Sequence, residues 1–121
     1  MNIDADKQLE RDWQRLLYDL KPMFKRKPNL QVMLFLIGVQ ELGQIHQEYS
    51  KEAKQDLMHV GMCTLTSQEG YYQFTGKDED GWPHWEQLKA VPKMTLEERE
   101  KWLKKLILQY FKKQANNPFS V

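Results

Sequence analysis

Residues 32–39 of this chain are apolar at every position except Gly38, and no charge falls between Pro28 and Glu41. At 100° per residue, Leu30, Val32, Met33, Leu34, Phe35, Leu36, Ile37 and Val39 point almost all round a helix axis. A helix that is apolar on every side is buried on every side. A strand would account for residues 32–39 alone. The continuation Gln40-Glu41-Leu42-Gly43-Gln44-Ile45 does not alternate, so residues 29–47 are expected to form one central helix with the rest packed around it. Pro28 and Asn29 suit its start, because proline fixes φ near the helical value and asparagine can cap free amides.

Three further helices follow from periodicity and capping. Leu9, Trp13, Leu16, Leu17, Leu20 and Phe24 form one stripe, so a first helix is expected to about Leu20. Asp4 or Asp6 would cap it and Pro22 would end or kink it. Ser50 is the N-cap candidate for a helix over residues 51–67, with Leu57, Met58, Gly61, Met62 and Leu65 facing the core. Gly38 costs about 1 kcal/mol relative to alanine inside a helix. Gly38 and Gly61 therefore suggest a single close crossing of the second and third helices. Thr95-Leu96-Glu97-Glu98 is a capping box. It opens a last helix, to about Gln114, whose stripe is Leu96, Trp102, Leu103, Leu106, Ile107, Tyr110 and Phe111, with Leu108 outside it.

Gln68-Glu69-Gly70 should end the third helix. Residues 71–85 then hold five of the fourteen aromatics. Disordered linkers are poor in aromatics, so this segment is expected to be ordered. Tyr72, Phe74 and Gly76 alternate with Tyr71, Gln73 and Thr75, which allows a short strand or hairpin. The expected fold is all-α: a four-helix, bundle-like single domain over residues 1–121. It carries an ordered aromatic loop between the third and fourth helices and a flexible tail at residues 115–121.

Charge and cysteine content narrow the function classes. The net charge is +1, so no global field recruits nucleic acid or an anionic membrane. Cys63 is the only cysteine, which suits a reducing compartment. The N-terminus is polar and acidic without an apolar h-region. The central apolar run is shorter than the roughly 20 residues a bilayer needs. A cytoplasmic location is expected. Lys25-Arg26-Lys27-Pro28 reads first as a solvated turn near a helix C-terminus and second as a phosphate-binding patch.

Asp56, His59 and Cys63 are spaced to meet on one helix face. The preferred reading is structural: His59 bonded to Asp56, with Cys63 in the core. The alternatives are a catalytic pair, with Glu41 as a further candidate, and a metal site on Asp56, His59 and Cys63. No cofactor is expected. Asp78, Asp80 and Gly81 imitate the middle of a calcium loop, but Gly76 and Gln87 would occupy its first and last ligand positions, so that reading fails. Asp80-Gly81 is instead expected to make a turn, with Trp82 and Trp85 clamping the loop to the helices.

Leu36-Ile37-Gly38-Val39-Gln40-Glu41-Leu42-Gly43-Gln44 together with Asp78-Glu79-Asp80-Gly81-Trp82-Pro83-His84-Trp85 resembles a small bacterial family of uncharacterised helical proteins. The resemblance covers most of the chain and implies no activity, cofactor or catalytic residue. The expected function is binding: a small intracellular adaptor with a protein partner, or a self-associating protein with a homodimer narrowly preferred. Trp82, His84, Trp85 and Trp102 are its candidate contact residues, since tryptophan is favoured at interfaces. The rival is a small enzyme or metal protein using Asp56 and His59. A third reading, nucleic-acid binding through Lys21, Lys25, Arg26 and Lys27 or the last helix's lysines, is not expected.

Overall fold

The computed structural model describes residues 3–24, 27–43 and 48–113. They form four α-helices and one two-stranded sheet: α1 (Ile3–Leu20), a 3-10 turn (Lys21–Met23), α2 (Leu30–Leu42), α3 (Lys51–Ser67), β1 (Tyr72–Lys77), β2 (Pro83–Gln87) and α4 (Leu96–Lys113). The fold is mostly helical, and the short hairpin allowed between the third and fourth helices is present, so the chain is not purely α-helical. The chain divides into two compact units, Met1–Leu30 with Met94–Val121, and Gln31–Lys93.

In the first unit, α1 and α4 pair. Lys101 Nζ lies 3.3 Å from Asp6, and Lys104 Nζ lies 3.1 Å from Glu10. These contacts climb both helices in the same direction, so α1 and α4 run parallel. Trp13, Leu17 and Leu20 are buried on α1, and Leu103, Leu106, Ile107 and Tyr110 on α4. The cap expectation for α1 shifts slightly: Asp4 and Asp6 sit inside its first turn, where the helix dipole favours carboxylates. Pro22 lies within the 3-10 turn that follows α1, as its missing N–H requires. At α4 the capping box closes both ways. Glu98 N donates to Thr95 Oγ1 at 3.1 Å, and Thr95 N donates to Glu98 Oε1 at 3.0 Å. Leu96 departs from its expected core role and is 70% exposed.

The second unit is built on the α2–α3 crossing. A Cβ at Gly38 would strike the Leu57 carbonyl, and one at Gly61 would strike the Leu34 carbonyl. Leu34 and Gly38 are one turn apart, as are Leu57 and Gly61, so each helix offers a glycine to the other's backbone. Met33, Leu34, Ile37, Val39 and Leu42 are buried, while Leu30, Val32, Phe35 and Leu36 are half-buried, so the run is not buried on every side as expected. Gly43, at φ +78°, donates its N–H to the Val39 carbonyl and closes α2. The expected helical continuation through residues 44–47 lies outside the described residues. Ser50 Oγ accepts from Ala53 N at 3.1 Å and caps α3. Gly70, at φ +81°, follows the α3 terminus.

Candidate functional site

β1 and β2 pair antiparallel, with Tyr72 opposite Gln87, Phe74 opposite Trp85 and Gly76 opposite His84. Thr75 is the extra residue of a bulge between Phe74 and Gly76. Gly81 N donates to the Asp78 carbonyl and Asp78 N to the Trp82 carbonyl, both at 3.0 Å. With Gly81 at φ +87°, this is a three-residue hairpin loop closed by a left-handed glycine.

Asp78 organises this loop. Its Oδ1 accepts from Asp80 N at 2.9 Å and Trp82 N at 3.0 Å, while Oδ2 lies 3.0 Å from His84 Nε2. The His84 bond first, and then the Trp82 amide, hold its carboxyl below the usual carboxylate range. Two expectations meet here. Asp80-Gly81 does form a turn, but Asp78 serves it as an internal acceptor. His84, expected as a contact residue, is that acceptor's side-chain hydrogen-bond partner. The clue in the sequence is an aspartate two residues ahead of Asp-Gly, a pattern that favours side-chain-to-backbone turns.

The aromatics above the loop divide by role. Trp82 is half-buried and packs with Phe35 and Tyr49 against Val39, Leu42 and Leu57. Lys77 Nζ donates to the Glu41 carbonyl at 3.1 Å, tying β1 to the last turn of α2. Glu41 itself is half-buried. Tyr72 meets His59 edge-on at 6.4 Å, so β1 lies on α3 at that point. Phe74 stands edge-to-face on Trp85 at 5.5 Å and is 48% exposed. Trp85 is half-buried, and its indole N–H is covered with no acceptor among the described residues. Across the ladder, Lys89 Nζ sits 4.4 Å above the Tyr71 ring. Trp102, the remaining candidate, lies half-buried on α4 in the first unit.

The α3 cluster takes another form than expected. Asp56 and His59 are both exposed, and no hydrogen bond joins them. A solvated carboxylate has no need of an ionic partner, which removes the force expected to pair them. His59 instead lies 3.5 Å from Cys63 Sγ. Cys63 is buried, and burial pushes its thiol up to about 11. At neutral pH it is a thiol, neither a ready nucleophile nor a ready metal ligand. Among the described residues, no group of three His, Cys, Asp or Glu side chains is placed to hold a metal.

Comparison with known proteins adds no assignment. No family model, no curated protein and no solved structure matches the chain, so the resemblance to a bacterial helical family gains no support. Among the described residues, no helix is long and apolar enough to cross a membrane.

Proposed function

We propose that the chain is a small intracellular binding protein of the adaptor type, and that the aromatic rim of its hairpin is the docking surface. Phe74 carries the reading: a phenylalanine about half exposed, propped edge-on against Trp85. Its rotamer freedom is already reduced by that contact, so docking would cost less ordering entropy. The platform beneath it is tied down at both ends, by Trp82 in the α2–α3 core and by the Asp78 loop. A second copy of the chain is the first partner to test, and a net charge of +1 puts little repulsion between copies.

A photo-crosslinking residue at position 74 tests this in cells, with position 86 as the control. Glu86 alternates with Trp85 along β2 and so belongs to the other face. A discrete adduct at 74, absent at 86 and lost with Trp85→Ala, is expected. The adduct's mass identifies a second copy or another protein. No discrete adduct at 74 would reject the hairpin as a docking surface.

A further inference from the structure

A shallow cleft of about 460 Å³ lies on the first unit, lined by Gln14, Arg15, Tyr18, Asp19 and Lys27. It absorbs part of the basic link that the adaptor reading leaves unused. The 3-10 turn containing Pro22 follows α1, and Lys27 then lies back against the helix: its Nζ donates to Gln14 Oε1 at 3.0 Å. Gln14 is itself held, because its Nε2 donates to Glu10 at 3.0 Å and Glu10 is paired with Lys104. Lys27 is thus positioned by a chain of contacts, with two ammonium protons still to donate.

The neighbouring cations are engaged differently. Arg11 donates to Gln8 at 2.9 Å, and Lys101 and Lys104 pair with carboxylates. Arg15 has no hydrogen bond or ion pair among the described residues, although Asp19 is one turn away on the same helix. Its guanidinium is open to a bidentate acceptor. Tyr18 is 69% exposed, so its ring face is available for stacking. Lys27, held on Gln14, and the unpaired Arg15 line the same cleft as an exposed aromatic ring, which suits an anion joined to a flat ring. A lone phosphate would leave most of this cleft empty.

We propose that this cleft binds a nucleoside diphosphate, with Arg15 and Lys27 on the phosphates and Tyr18 stacked on the base. Asp19 lowers the cleft's net positive charge and faces the ligand as an acceptor for its hydroxyl or amino groups. The site uses no residue of the hairpin, so it stands or falls independently of the adaptor reading.

Calorimetric titration of the full chain with ADP, adenosine and pyrophosphate tests it. ADP is expected to bind saturably with Kd below about 1 mM, more tightly than either fragment. Its affinity should fall as salt is raised. Arg15→Ala and Lys27→Ala should each weaken ADP by roughly tenfold, the size of one charge-assisted bond. Tyr18→Ala should weaken ADP and leave pyrophosphate unchanged. Asp19→Asn should tighten pyrophosphate. All four side chains sit at an open cleft, so melting temperatures near wild type will show that the variants fold. Chemical shifts of Tyr18 and Lys27 in the wild-type protein give a second readout. No saturable ADP binding, affinity untouched by the Arg15 and Lys27 variants, or pyrophosphate binding as tightly as ADP would each overturn the assignment.

Discussion

Gly38 and Gly61 each sit inside a helix, where alanine would be favoured by about 1 kcal/mol on propensity alone. Their surroundings reverse that sign. A methyl at either position meets a backbone carbonyl, Leu57 for Gly38 and Leu34 for Gly61, and a carbonyl cannot swing aside as a side chain can. The helices must part instead. Gly38→Ala and Gly61→Ala are each expected to destabilise by about 1–3 kcal/mol, the usual range for overpacking. The two glycines guard one interface, so the double variant should lose less than the sum of the singles. Thermal melts of the three variants check this, and a higher melting temperature in either single would show that the crossing is loose. Cys63 allows a second test at this scale. Buried, with its thiol pushed up to about 11, it should alkylate far more slowly at pH 8 in the native protein than in urea. Equal rates would place the sulfur at the surface. His59 shows where residue-level reading stops. The i, i+3 spacing puts Asp56 within reach, but reach does not compel a bond when both side chains are in water.

At the scale of elements, the signals that read correctly are local ones. Ser50 and the Thr95–Glu98 box fix helix starts through bonds spanning three residues, so their chemistry is complete within the motif. The hairpin is harder to read. The alternation over residues 71–76 allows a strand, but neither the bulge between Phe74 and Gly76 nor the partner strand Pro83–Gln87 is visible in it. Asp78 was visible, but its partners Trp82 and His84 come into range only once the loop has closed. Its pH behaviour follows from those partners. An aspartate whose carboxyl is depressed on folding adds stability that is fully present above its unfolded value, near 3.8, and is lost as pH falls through the lower folded value. The Trp82 amide should therefore lose protection, measured against an unfolded peptide at the same pH, on acidification below that range. Asp78→Asn should remove most of this dependence, since an amide cannot titrate and pairs more weakly with His84. Amide exchange at Trp82 from pH 5 down to acid measures it. An unaltered acid limb in the variant would assign the effect to other depressed carboxylates, Glu10 and Glu98.

For the whole molecule, the question is whether copies of the chain meet through a particular surface or through general stickiness. Leu96, on the first turn of α4, is 70% exposed, and Phe74 is 48% exposed. Scattered apolar residues of this kind are normal on soluble proteins, so exposure alone does not identify an interface. The central apolar run made a buried core legible from the sequence, because burial is a property of composition along one helix. What the outer surface contacts depends on pairs such as Phe74 and Trp85, eleven positions apart and joined only by the strand register. The two accounts of association rank the same substitutions in opposite order. If association follows exposed apolar area, Leu96→Ser should weaken it more than Phe74→Ser, because Leu96 is the more exposed. If it follows an aromatic anchor on a preformed hairpin, Phe74→Ser should weaken it by roughly tenfold or more, as hot-spot residues do, and Leu96→Ser should leave it near wild type. Sedimentation velocity over a wide concentration range, on wild type and both variants, makes the comparison. We expect a concentration-dependent dimer in wild type that Phe74→Ser shifts toward monomer. The reverse order would move the interface away from the hairpin, and a wild-type monomer at every concentration would leave only a partner of another chain for Phe74 to meet.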